Sequence, residues 1–459
     1  MKKHHFVLIS SVAFILLFLN QNIGLNLALF GLFLVSMIAY FFKERMGNYP
    51  EQILVVTSIL SCLAFAWYGD FVSFLAVALS ILFLQFRIQS PQLLIIQALP
   101  IIVINSLATC VRFFQFSKWL PDAKINTNLV KIIVAYCIIP MSFVSLFFIV
   151  YSFGSDHFSS LWIDYTLDFN PYQFIFVVVF GTYFSFSFWN YWVPEICLEM
   201  NSKLNDELNK DISENNQNSF ALLDSDFKRR SGEITFLLLN LMLVVFLVTF
   251  NYEQFFESIA SSKLSAATHE RVNAVLFSIF LSIVVVLLYF KGQFNFDSKA
   301  KNMKVLAKTW MVLNGFLIVS TLIINSEYIA FFGLTYKRLG VYVFLFLAAL
   351  SLFFTFRKIT RQKSNAYLFN QMIWYCYGVI LLCSFVNWGN LITVYNISFN
   401  KGVEPLFLSD LNFNDNARRQ FFIENKLDGK YVEELREEEI QLRQKDSFLS
   451  TALYYEFLK

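Results

Sequence analysis

Apolar segments of bilayer length recur from Phe6 to about Phe385, and this one pattern excludes most folds. A hydrocarbon core about 30 Å thick takes roughly 20 helical residues to cross. Leu25–Phe42, Ile132–Ser152, Ile234–Phe250, Val272–Phe290 and Val341–Phe356 approach that length without a charged residue. In hydrocarbon the backbone must satisfy its own hydrogen bonds, so runs of this length cross as helices. The fold class is therefore all-α: a polytopic transmembrane bundle of about 11–12 spans. A small helical C-terminal tail lies outside the membrane.

Only 15% of the residues are charged, against about 25% in soluble domains. The net charge of +3 gives no basic field for nucleic acid. Cys62, Cys110, Cys137, Cys197, Cys376 and Cys383 form no CxxC pair, so neither a disulfide framework nor a zinc site is indicated. P-loop, GxGxxG and GxSxG motifs are missing. His269-Glu270 lacks the second histidine of HExxH. No cofactor and no metal follow from the residues.

Loop charge orients the spans, because Lys and Arg concentrate in cytoplasmic loops. Met1-Lys2-Lys3-His4-His5 before Phe6–Leu19 imitates a signal peptide, but no small-x-small cleavage site follows. It reads as a retained first helix with a cytoplasmic N-terminus. Lys43, Arg45, Arg87, Lys228-Arg229-Arg230, Lys291–Lys304 and Arg357–Lys363 mark inside loops. The turn at Tyr68-Gly69-Asp70 and the loops Asn251–Arg271 and Asn325–Arg338 fall outside, as does the tail.

Leu93–Val111 is apolar enough to cross, yet carries Gln97, Pro100 and Asn105. If it crossed, every later loop would invert, so a re-entrant or in-plane segment is favoured. The layout is then N-terminal helices over 1–128 (candidate re-entrant segment 92–111), a core over 129–396 with inner loop 195–233, and a tail over 397–459. About eleven crossings result. The tail reads as a solvated appendage, with Asn414 or Asp415 capping a helix from Ala417.

Mid-span ionisable residues usually mark ion routes, and here they are essentially missing. Asn240, Asn314 and Thr235 read as interhelical hydrogen-bond partners, and Pro140 as a kink. Polar residues gather instead at the outer ends. Thr268-His269-Glu270-Arg271-Val272-Asn273 reads as the start of the span Val272–Phe290, with His269 and Asn273 on one face. Tyr328 and Phe331–Arg338 form a second cluster, in which Thr335 is a candidate cap. Lys337 and Arg338 there need solvent or a partner such as Glu327 or Glu270. Asn387, Trp388, Tyr395 and Asn396 form a third. The candidate ligand-binding residues are His269, Glu270, Arg271, Asn273, Tyr336, Lys337, Arg338, Asn387 and Trp388. Each cluster also has a plain structural reading, as helix caps and interfacial anchors.

Thr268–Asn273, Tyr328 with Phe332–Tyr342, and Asn387-Trp388 with Leu391–Asn396 resemble a family of bacterial polytopic membrane proteins. That family is defined by a domain of unknown function numbered 4173, akin to the one numbered 4153. The likeness is densest from Asn251 to Asn396, and Gly-Leu-Thr-x-x-Arg is its most specific element. A Tyr-x-x-Tyr-x-Arg-x-Gly-Phe element of that family is not matched around Leu264–Asn273. The resemblance implies a bacterial inner-membrane location and nothing catalytic.

Two functions compete. One is non-enzymatic binding of a ligand or partner at the outer face, in sensing, envelope assembly or transport. Its partners would be the lipid bilayer, an anionic lipid or another membrane protein. The alternative is a membrane enzyme acting on a lipid-linked substrate at the outer interface, using His269, Glu270 and Arg338.

Overall fold

The computed structural model describes residues 3–119, 135–136, 139–155, 158, 170–201, 204–207, 225–256, 261–291, 293–425 and 430–458. Among these the regular structure is helical, apart from one isolated bridge between Glu207 and Lys363. The first cluster packs α1 (Lys3–Phe18), α2 (Leu25–Phe41), α3 (Tyr49–Tyr68), α4 (Phe71–Gln89) and α7 (Pro171–Trp189), with α5 (Ala98–Arg112) against it. Between them comes α6 (Ile139–Gly154), with Pro140 in its first turn. The stretch at 137–138, where Pro140 would bend a longer helix, lies outside the described residues. A short α8 (Glu195–Asn201) follows α7.

The second cluster packs α9 (Ser225–Phe256), α10 (Ser261–Tyr289), α11 (Lys301–Phe332) and α12 (Tyr336–Thr360). Then come α13 (Asn365–Cys383), α14 (Trp388–Phe399), α15 (Asp415–Asn425) and α16 (Lys430–Lys445). Nine helices among the described residues are long and apolar enough to cross a membrane. The chain is a multi-pass membrane protein.

Small residues set the close approaches, as is usual between membrane helices. A Cβ on Gly181 would stand 2.5 Å from the Phe14 ring, so α7 lies directly on α1. Lower down, the Trp189 indole N–H donates to Ser10 Oγ at 2.7 Å. Helix α13 joins the clusters: the Tyr377 hydroxyl bonds Thr57 (2.8 Å) and Ser80 (2.9 Å) in the first. Its Tyr367 and Leu368 pack with Phe354 of the second.

The in-span polar residues act across helices. Asn240 donates from α9 to Leu306 O of α11 at 3.0 Å. Thr235 Oγ1 lies 3.0 Å from the Tyr289 hydroxyl, and Ser282 donates to Asn314 Oδ1 at 2.8 Å. A double-mutant cycle of Ser282→Ala and Asn314→Ala, read by unfolding in detergent, is expected to give a coupling of about 0.6 kcal/mol and not above about 1.7. A coupling of zero would mean that this pair does not hold α10 to α11.

Helix ends sort onto two faces. On one, Lys363 pairs with Glu207 at 2.6 Å and Asn370 donates to Asp206 at 2.7 Å. There the buried Lys358 ammonium donates to Phe290 O at 2.7 Å, beyond the C-terminal end of α10. A cation suits that end of a helix.

The tail occupies the other face, and here the structure departs from the solvated appendage expected. Asn22 N–H donates to Ser450 Oγ (2.9 Å) and Leu25 N–H to Thr451 O (3.3 Å), which ties the α1–α2 loop. Trp67 stacks on Phe457 (centroids 5.8 Å apart) and Tyr68 packs on Phe413. Asn414 donates to Thr393 of α14 at 2.7 Å. Helix α15 begins at Asp415, two residues before the position expected, with Arg418 N–H donating to Asn414 O at 3.0 Å in its first turn. Asp415 is also the centre of an ionic cluster. Its Oδ1 accepts from Arg418 Nη2 (3.0 Å) and Arg436 Nε (3.2 Å), and its Oδ2 from the Tyr454 hydroxyl (3.1 Å). Glu433 accepts from Arg418 Nε at 2.8 Å. Asp415 and Arg418 are 0% exposed. Burial and then the neighbouring Asp415 carboxylate push the Tyr454 phenol above its usual range, so it stays protonated and donates.

Candidate functional site

The tight turn from α11 to α12 is built from Gly333, Leu334 and Thr335. Gly333 sits at φ +84°, ψ 179°, a region essentially confined to glycine. A Cβ there would also lie 2.8 Å from both Asn396 Oδ1 and Lys401 O. The next residue is clamped from both sides by one buried amide: Leu334 N–H donates to Asn396 Oδ1 (2.6 Å), and Asn396 Nδ2 donates back to Leu334 O (3.0 Å). Thr335 caps α12, its side chain accepting from Arg338 N–H at 3.4 Å. The Gly-Leu-Thr-x-x-Arg element is thus one local device, with a residue of α14 holding its middle.

Arg338 folds back on that turn. Its Nη1 donates to Gly333 O, and its guanidinium lies over the Tyr328 ring, 4.2 Å from the centroid. Asn325 Nδ2 donates to Arg338 O at 3.1 Å. The side chain is nearly buried, and among the described residues Nε has no hydrogen-bond partner. Of the two expected carboxylate partners, the Glu270 side chain lies outside the described residues, and Glu327 is engaged elsewhere. Glu327 accepts instead from Gln254 of α9 at 2.6 Å. Successive helical residues point about 100° apart, so Tyr328 faces Arg338 while Glu327 turns toward α9. A desolvated cation over an aromatic face gains about 2 kcal/mol.

Beside this turn, α10, α11 and α12 enclose a cavity of about 560 Å³, within the usual range for ligand pockets. Asn273, Asn325, Tyr328, Lys337 and Arg338 line it toward the tail face; Leu276, Val341 and Phe344 line it one to two turns deeper. Polar donors therefore sit above an apolar floor. Gly340 completes the wall, and a Cβ on it would meet nothing within 4 Å.

Of the candidate residues, Asn273, Lys337 and Arg338 come together here. Tyr336 turns away, its hydroxyl accepting from Asn412 N–H at 3.3 Å. Asn387 caps α14 and donates to Phe413 O at 2.9 Å, while Trp388 donates to Cys383 O at 2.9 Å. Tyr336 and Asn387 thus seat the tail and Trp388 ties α14 to the end of α13, rather than lining the cavity. The side chains of His269, Glu270 and Arg271 lie outside the described residues. The segment Thr268–Asn273 is not a helix start: α10 begins at Ser261, so it lies two turns inside. Asn325 and Gly340 escaped the sequence reading. The available signal for Asn325 was its i, i+3 spacing with Tyr328 near the end of an apolar run. Among the described residues no group of His, Cys, Asp and Glu converges to hold a metal ion.

A protein-family model described as "Domain of unknown function (DUF4153)" matches residues 53–416. The match is thus to the domain numbered 4153 rather than to the one numbered 4173. No curated protein and no solved structure matches the chain.

Proposed function

The chain belongs to the DUF4153 family, and on that premise we propose that it is a non-enzymatic binding protein for an amphiphile with an anionic head. The head group sits at Lys337, Asn273 and Arg338, and the acyl part lies on Leu276, Val341 and Phe344. The observation that carries this reading is the single cavity wall graded from basic and amide side chains to apolar ones. We place the protein in a bacterial inner membrane, the location that the resemblance of its polar outer segments implies. The tail face is external, because Lys43, Arg45, Lys291, Lys299, Lys301 and Lys363 gather at the opposite helix ends.

Detergent-purified full-length protein titrated with phosphatidylglycerol should gain thermal stability, and phosphatidylcholine should give less. Losing a charge-assisted contact costs about 1.5–3 kcal/mol, so Lys337→Ala is expected to weaken the phosphatidylglycerol response about tenfold or more. Gly340→Leu should block the same response by filling the cavity without touching the backbone around it. If both variants respond like the wild type, the cavity is not the site.

A further inference from the structure

We propose that α5 does not cross the membrane but lies along the face opposite the tail, with its apolar side in the acyl chains of that leaflet. By length and composition Ile95–Arg112 qualifies as a span. Its contacts point elsewhere. Just before α5, Leu94 N–H donates to Asn201 Oδ1 and Ile96 N–H to Asn370 Oδ1, both at 3.1 Å. Asn370 lies in the second turn of α13, and its amide bonds Asp206 on the opposite face. At the far end of α5, Arg112 Nη1 donates to Asn190 O at 3.0 Å, and Asn190 is the residue that ends α7. Between these anchors Asn105 Oδ1 accepts from Trp192 N–H at 3.2 Å.

Helix α5 therefore runs antiparallel to the segment 190–201, which leaves α7 and passes through α8 on that same face. A crossing helix of fifteen residues would separate its ends by about 22 Å in depth. Here both ends meet residues at one level of the bundle. The two sides of α5 differ. Gln97, Asn105 and Thr109 are buried against the protein, and Arg112 lies over the Trp192 ring at 5.4 Å. Leu99, Val103, Leu107, Val111 and Phe114 are exposed and spaced three or four apart, so they form one apolar stripe. The apolar stripe shows which flank meets lipid, and the anchors at the two ends set the depth at which it does so. The exposed apolar flank of α7 (Phe176, Val179 and Phe180) belongs to the same lipid-facing surface.

The test uses the full chain with its six cysteines replaced, reconstituted in phosphatidylcholine–phosphatidylglycerol vesicles. Single spin labels go at Leu99, Val103, Leu107 and Val111, and power saturation with oxygen and a nickel chelate reads their depth. The four depths should agree within about 5 Å, one helical turn. A steady gradient approaching 18 Å from Leu99 to Val111, at about 1.5 Å per residue, would overturn the proposal. So would labels shielded from both agents, since protein would then cover the stripe. As a second measurement, cysteines at Gln92 and Lys118 should react with an impermeant thiol reagent from the side that labels Gln362→Cys. Reaction of Lys118→Cys from the side that labels Glu424→Cys would refute the arrangement.

Discussion

Replacing Asp415 with alanine is expected to release the tail from the bundle. The carboxylate is fully buried and holds two guanidiniums and a phenol. Its removal leaves Arg418 at 0% and Arg436 at 7% exposure without their shared counter-charge. Breaking a buried ion pair from one side costs about 3–5 kcal/mol. Arg436 suffers most: burial works against its charge, and Asp415, with Tyr455 and Glu439, is what holds its guanidinium above the usual value. Among the described residues its Nη2 already lacks a partner. Limited trypsin digestion of the purified full chain should then cut after Arg418 and Arg436, which the wild type protects. Asp415→Asn keeps an acceptor and should be intermediate. An alanine variant as resistant as wild type would show that the ionic cluster does not fasten the tail.

Gly333→Ala is the second substitution with a large expected effect. Its backbone region costs a residue with a Cβ about 1–3 kcal/mol. The new methyl would also displace Asn396, and each hydrogen bond of that clamp on Leu334 contributes about 0.5–1.5 kcal/mol. A marked drop in melting temperature should follow. It should bring a weaker phosphatidylglycerol response, because Gly333 O is the acceptor that positions Arg338. Gly340→Ala, in open space seven residues later, is the control. It should be neutral or slightly stabilising, since glycine within a helix costs about 0.5–1 kcal/mol relative to alanine. Equal melting temperatures for the two variants would refute the strained-turn account.

The spans were legible because charge-free runs near 20 residues permit little else in hydrocarbon. The all-α bundle followed from them. Asn240, Asn314 and Thr235 were legible as helix-to-helix partners for the same reason: a polar side chain at that depth must find an acceptor. The seat of the tail was not. Arg418, Glu433, Arg436 and Glu439 read as an ordinary mixed-charge surface, and only tertiary packing buries Asp415 among them. The cavity was half legible. Polar clusters at Asn273 and at Lys337-Arg338 share one end of the bundle, and helix packing joins them. Tyr336, Asn387 and Trp388 share that end too, but periodicity alone does not say which would turn to the tail. The α10 start was misread because a polar stretch can extend a helix beyond the membrane without changing its apolar run.

The bond between Asn22 and Ser450 closes across 428 positions. At a synthesis rate of about 5–20 residues per second, the α1–α2 loop waits roughly 20–90 seconds for Ser450. Contacts this distant in sequence also form slowly, since a long chain must be closed before they reward it. Through that interval the groups of Gln21, Asn22 and Leu25 that later meet Ser447, Ser450 and Thr451 bond to water instead. The clasp between Asn22 and Ser450 therefore forms only after the helices that lie between them in the chain have been made.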